Sequence, residues 1–204
     1  MPDWDEDSPK LRHNLHGLLH RIRDDARRRV KPSLAAARSW HLEFLTGLTV
    51  PNIGAVGKFR GELGLENVEV EIGSRRGMAS RDVVPALVAF EQVLQTAVSR
   101  LDALILAGTA LDVDQLAAVI DVCAWAHSEW VRIHPFLNGN GRAARLWANS
   151  LGMRYGLPPF VSPRPRPGGG YEAAAEAAMQ GKWQPTATVF RHMLATALRE
   201  SRSP

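Results

Sequence analysis

The sequence holds 204 residues, 45% hydrophobic and 23% charged, with 25 Lys and Arg against 21 Asp and Glu for a formal net charge of +4. That length suits one domain, the composition excludes a disordered chain, and so mildly basic a balance does not call for nucleic acid as a partner. The lone cysteine, Cys123, excludes an internal disulfide and a cysteine-built zinc site. The acidic start, Met1-Pro-Asp-Trp-Asp-Glu-Asp7, lacks the apolar core of a secretory signal. No stretch approaches the roughly 18 uninterrupted apolar residues of a membrane span, so the expectation is a cytoplasmic protein.

Most of the chain reads as helix. Ser8-Pro9 is a cap and first-turn pair, and Leu11, Leu15, Leu18 and Ile22 then share one helical face. His13, His16 and His20 fall on the opposite face, which predicts a solvated side and not a metal site. A second helix is predicted over Ser33–Leu48, with Leu34, Ala37, Leu42 and Leu45 toward the core. Between Pro51 and Gly77 the pattern breaks at seven glycines or prolines, and Val68-Glu-Val-Glu-Ile72 alternates with period two, predicting a short surface strand or hairpin. A third helix should run from Ser80, as cap, to about Leu106, burying Leu87, Phe90, Leu94, Leu101 and Ile105. A fourth, from Asp112 to about Ile133, is apolar on most sides and so central. A fifth starts near Gly141 and ends at Gly156. After the proline-rich loop that begins at Pro158, helices are expected at Tyr171–Gln180 and Thr186–Glu200. Most of the tryptophans are core candidates, with Trp4 set apart in a loose terminus, and Cys123 reads as a packed thiol.

The stretch His134-Pro-Phe-Leu-Asn-Gly-Asn-Gly-Arg-Ala-Ala-Arg145 joins the fourth helix to the fifth. His134 leaves a buried helix just before a proline and so has a fixed position. Imidazole titrates near neutrality and is the commonest general base. Gly139-Asn140-Gly141 has little bulk, so several backbone N–H groups can converge on one anion. A helix N-terminus follows, which favours phosphate. Arg142 and Arg145 are spaced to share a face, and guanidinium groups suit bidentate phosphate binding. From Trp130 through Tyr171 there is no Asp or Glu, while Arg132, Arg142, Arg145, Arg154, Arg164 and Arg166 are present. A base beside a polyphosphate cradle is equipment for attack by a hydroxyl on a nucleotide phosphate. Walker A is absent, and Gly139-x-Gly141 has neither the third glycine nor the preceding strand of a dinucleotide fingerprint.

These residues resemble the signature of the Fic domain family, His-Pro-Phe-x-x-Gly-Asn-Gly-Arg-x-x-Arg, with every fixed position present between His134 and Arg145. Ala55-Val-Gly57-Lys-Phe-Arg60 resembles the Gly-x-Φ-Arg segment that leads into the family's flap. The resemblance runs from about Ser33 to Glu200. It implies a mainly α fold, a helical bundle around a central helix-loop-helix with a short β-hairpin flap. Residues 1–32 would be an N-terminal helical extension and residues 33–204 the Fic domain.

By the same resemblance the substrate is ATP, and AMP passes to a Ser, Thr or Tyr hydroxyl of a target protein. Carried over by position, His134 is the base and Phe136 the loop's anchor in the core. Gly139, Asn140 and Gly141 form the anion hole, and Arg142 and Arg145 hold the β and γ phosphates. Glu69, Val70, Glu71, Ile72 and Gly73 form the flap that clamps a target segment as an added strand. Tyr171 and Met179 are candidates to border the nucleoside. The position after Leu137 is acidic in many members and binds the Mg²⁺ that bridges the phosphates. Here it is Asn138, which predicts weaker or different metal use. That departure opens two alternatives to AMP transfer: movement of another phosphate-containing group on the same scaffold, or a catalytically weakened nucleotide-binding module. The family's inhibitory Ser/Thr-x-x-x-Glu-Gly/Asn motif has two near matches, ending at Glu43 and Glu200, with Glu200 the better placed. The other routes to control are a separate small inhibitor protein, as in toxin–antitoxin members, or none.

Overall fold

The computed structural model describes residues 4, 8–72 and 75–200. Helix α1, Pro9–Arg27, begins where the Ser8 hydroxyl oxygen accepts from the backbone N–H of Lys10 and Leu11. Its buried stripe is Leu11, Leu15, Leu18, Ile22 and Ala26; His13, His16 and His20 are exposed on the other side. Helix α2, Leu34–Leu45, is capped by Ser33 and buries Ala37, Trp40, His41, Phe44 and Leu45. Leu42 stays half exposed, against the expectation that it faces the core. Trp40, His41 and Phe44 take the inner face, and one helical turn leaves room for only one such stripe.

The hairpin is shorter than the alternating pattern suggests. Strand β1 is Glu71–Ile72 and strand β2 Arg75–Arg76, antiparallel, with Glu71 opposite Arg76 and Ile72 opposite Arg75. One further bond, Gly77 N–H to the Val70 carbonyl at 2.9 Å, extends the pairing. Helix α3, Ser80–Leu104, is not capped by Ser80. Ser80 is its first residue; its N–H donates to the Glu69 carboxylate at 3.1 Å and its hydroxyl to the Leu65 carbonyl at 3.0 Å. A carboxylate from the hairpin stem thus does the capping, where it also suits the helix dipole.

Helix α4, Val113–Ile133, carries a capping box between Asp112 and Gln115. It packs against α5 (Asn140–Arg154), α3, α6 (Tyr171–Ala178) and α7 (Gln184–Glu200). Helix α1 lies on α2 and α5, so its apolar stripe joins the same core. Trp130, Trp147, Phe90 and Trp40 form the aromatic centre, with Trp40 and Trp147 edge to face at 4.7 Å. Trp147 and Trp130 lie on the two helices that flank the glycine-rich loop, so this packing holds the loop's two ends. No helix among the described residues is long and apolar enough to cross a membrane.

Candidate active site

Helix α4 stops at Ile133, and His134 turns out of it with φ 52° and ψ 57°. The His134 N–H still reaches the Trp130 carbonyl at 2.9 Å. This left-handed geometry costs an L residue other than glycine roughly 1–2 kcal/mol, and it persists only where the surroundings hold it. Two neighbours do so. Pro135 stiffens the next residue, and the Arg60 Nε–H donates to the His134 carbonyl at 2.9 Å. The imidazole is half-buried, with Nδ1 3.3 Å from the Val131 carbonyl. A proton on Nδ1 satisfies that carbonyl and leaves the lone pair on Nε2, the arrangement a general base needs.

The loop after His134 is locked from within. Asn140 accepts from the Phe136 N–H through Oδ1 and donates to the Phe136 carbonyl through Nδ2, both at 2.8 Å. Its amide therefore closes the loop, and what it offers an anion is its backbone N–H. The Phe136 ring is fully buried and stacks on His41 at 3.9 Å. Gly139 has φ 81°, and a Cβ there would stand 3.0 Å from the Phe44 ring, so neither backbone nor space admits a side chain. The two guanidinium groups flank the glycines. The Arg142 Nη2 lies 3.4 Å from the Cβ site of Gly139, and the Arg145 Nη1 lies 3.2 Å from that of Gly141. Both side chains are buried. Arg145 donates to the Tyr171 hydroxyl at 3.3 Å and to the Pro163 carbonyl at 2.9 Å. Its Nε is buried without a hydrogen bond. A buried cation near a helix N-terminus, held by neutral acceptors, keeps its charge available to attract an anion.

Asn138 is also turned into this cluster. Its Oδ1 accepts from Arg142 Nη2 at 2.9 Å and from the Trp4 N–H at 3.3 Å, while the Trp4 carbonyl accepts from Arg142 Nη1 at 3.3 Å. Trp4 is only 4% exposed. The expectation of a loose Trp4 is therefore wrong: its backbone is seated on the loop by hydrogen bonds that the composition of the terminus did not foretell. The oxygen of Asn138 that would face Mg²⁺ already faces a guanidinium. No group of three or more His, Cys, Asp or Glu among the described residues is placed to hold a metal ion. The side chains present do not by themselves fit a protein-held magnesium.

The other sequence-derived residues scatter. Tyr171 is buried, and its hydroxyl bridges Arg145 and His127, the latter at 2.7 Å, so it stands behind the Arg145 guanidinium. Met179 is half-buried at the end of α6. In the flap, Val70 is buried, Glu71 and Arg76 are exposed, and Glu69 caps α3. Gly73 lies outside the described residues. Glu200, at the end of α7, is exposed, and Arg145 takes its hydrogen bonds elsewhere. Glu43 pairs with Arg21.

Two structural supports escaped the sequence reading. His41 accepts from the Gly57 N–H at Nδ1 (2.9 Å) and donates from Nε2 to the Asn138 carbonyl (3.0 Å). Burial first, then the Arg142 charge, push its pKa down to about 4, with the Asn138 bond opposing them. Asn149 binds the returning 160–161 segment through three hydrogen bonds. The only signal for either was a polar residue inside an apolar helical stretch.

A buried helix-loop-helix with a histidine at one lip, two guanidinium groups at the other and a hairpin alongside defines a Fic fold. Residues 52–151 match the family model described as Fic/DOC family. Protein adenylyltransferase Fic of Drosophila persimilis is 49% identical over 45 residues, 22% of this chain and 9% of that protein. The match thus spans a small part of that curated relative's length. A Fic domain containing signaling protein from Bacteroides thetaiotaomicron superposes with a TM-score of 0.64 at 16% identity, covering 93% of this chain and 71% of that one. BepC, a VirB-translocated Bartonella effector protein from Bartonella tribocorum solved with bound AMPPNP, gives 0.53 at 19% identity over 92% of this chain and 87% of that one.

Proposed function

We propose that the chain is a protein adenylyltransferase that moves AMP from ATP to a Ser, Thr or Tyr hydroxyl of a target protein. The observation that carries this is the pairing of a helix-end imidazole, His134, with a glycine loop flanked by the buried guanidiniums of Arg142 and Arg145. The likeness to proteins named adenylyltransferases, and to one solved with an ATP analogue, supports it. In this reading Arg142, Arg145 and the N-terminal N–H groups of α5 bind the distal phosphates. The target hydroxyl attacks the α-phosphorus, and its proton passes to His134 Nε2. The new O–P bond forms as the bond to pyrophosphate breaks, and pyrophosphate leaves with its charge held by the arginines. The β1–β2 hairpin offers backbone groups along which a target segment can align.

The contact between Asn138 and Arg142 favours a second reading, a module that binds nucleotide and transfers slowly or moves another phosphate-containing group. Incubation with ATP and divalent metal, followed by intact-mass measurement of the protein and of lysate proteins, separates these. A gain equal to AMP supports the first reading, and a different increment identifies the other group. His134→Ala should lower transfer by about 10²–10⁴-fold with ATP binding kept. A variant that transfers at the wild-type rate would remove His134 as the base.

A further inference from the structure

Arg60 is fully buried, lies in the segment between α2 and β1, and forms no ion pair among the described residues. A desolvated guanidinium without a carboxylate is costly unless its N–H groups are satisfied. Here they are satisfied by carbonyls from three places. Nε donates to His134 at 2.9 Å and Nη2 to Ile133 at 3.2 Å, both at the end of α4. Nη1 donates to Val68, on the way into the hairpin, at 3.2 Å, and to Met78, on the way out, at 2.9 Å. The Arg60 backbone N–H adds a bond to the Pro135 carbonyl at 2.7 Å. One planar fork thus joins the backbone of His134 to both stems of the hairpin, and its charge sits at the C-terminus of α4, where the helix dipole favours it.

We propose that Arg60 is a positioning residue for His134, and that it couples the left-handed backbone of the base to the flap so that the two keep one relative orientation. This rests on the reading of His134 as base and of the hairpin as target clamp. A lysine cannot replace Arg60, because a single ammonium lacks the fork that spans these carbonyls.

The test uses the full chain and nuclear magnetic resonance, with no need for turnover. In the wild type, the Arg60 Nε–H should be protected from solvent exchange, and the His134 and Gly77 amides should open together with one protection factor. An Arg60 Nε–H that exchanges as an exposed arginine does, or amides that open independently, would overturn the proposal. In Arg60→Lys the His134 ring titration should move, and Gly77 exchange should rise by about tenfold, the effect of losing one hydrogen bond. Arg154→Lys, which disturbs a partly buried contact with Asp102 at the other end of α5, should leave the His134 titration unchanged. An unmoved His134 titration in Arg60→Lys, or an equal movement in Arg154→Lys, sinks the idea. Should Arg60→Lys fail to fold, the wild-type exchange data alone decide. If the wild type transfers no AMP, the proposed function fails while these signals still report on Arg60. If it does transfer, Arg60→Lys should lower kcat and shift its pH profile with the KM for ATP little changed.

Discussion

Asn138 sits where the site's electrostatics turn on one atom. Its Oδ1 is 2.9 Å from Arg142 Nη2, and no Asp or Glu occurs in sequence from Trp130 to Tyr171. In Asn138→Asp a carboxylate would meet that guanidinium and either pair with it or share a dication with the phosphates. With Mg²⁺ in excess the dication screens the carboxylate, so the variant should bind ATP with a steeper metal dependence and transfer faster. In chelator the carboxylate repels the phosphates and occupies Arg142, and ATP should bind about tenfold or more weakly, as expected from losing a hydrogen bond to a charged group. Calorimetric titration under both conditions checks this. Equal affinities for wild type and variant in both buffers would show that position 138 does not face the phosphate site. At this scale the motif residues were legible because their chemistry is local. His134, the glycines and the arginines lie within one short segment, so spacing alone places them together. His41 was not legible, because its partners, Gly57 and Asn138, are distant in sequence and a histidine between Trp40 and Leu42 looks like any core residue.

Elements compete for the same donors. The Trp4 backbone holds Arg142 Nη1 through its carbonyl and Asn138 Oδ1 through its N–H, and under the proposed function the phosphates of ATP would need that same guanidinium face. Helix α1 does not depend on this contact, since Ser8 caps it and its stripe of leucines packs on α2 and α5. Removing residues 1–7 should therefore leave the helical fold intact and strengthen ATP binding by about tenfold, the worth of a hydrogen bond to a charged donor that no longer has to be exchanged. Calorimetry on the shortened and full chains measures the difference, and an affinity that stays the same or drops would show that Trp4 does not stand in the nucleotide's way. The helices were readable from period and caps, and their ends fall within a few residues of the expected ones. The hairpin was readable as a place but not as a length. Alternation from Val68 to Ile72 satisfies a strand pattern, yet Val68 and Glu69 are spent on Arg60 and on the cap of α3, so only Glu71 and Ile72 pair as a strand.

The molecule as a whole carries two buried histidines that fold in the neutral form. Burial first, with the Arg142 charge adding and the Asn138 bond opposing, brings His41 to about 4. Burial, then the Arg145 charge, brings His127 to about 3. His41 already accepts at Nδ1 from Gly57 and donates at Nε2 to Asn138, so a second ring proton would point at another N–H. The sign of the effect follows from these depressed values. An unfolded histidine titrates near 6.5. Above that pH neither state is protonated and the two residues have no effect on the pH dependence. Between about 6.5 and 4 the unfolded chain takes up protons that the folded chain refuses, so stability falls with acidification, at up to roughly 1.4 kcal/mol per pH unit for each histidine. Below about 4, His41 titrates in the folded state and its share stops growing. There Glu62, held low first by its hydrogen bond to Arg38, and Asp102, whose burial is outweighed by Arg154, Tyr155 and Arg29, begin to lose their stabilisation as they protonate. Urea midpoints should thus drop steadily from pH 7 to pH 4.5, before the carboxylates contribute. His41→Gln keeps a donor and an acceptor in place of the ring's two nitrogens and has nothing to titrate, so its midpoints between pH 6 and pH 5 should fall with about half the wild-type slope. A slope equal to that of the wild type would show that His41 does not refuse its proton in the folded protein, and that the acid sensitivity arises elsewhere.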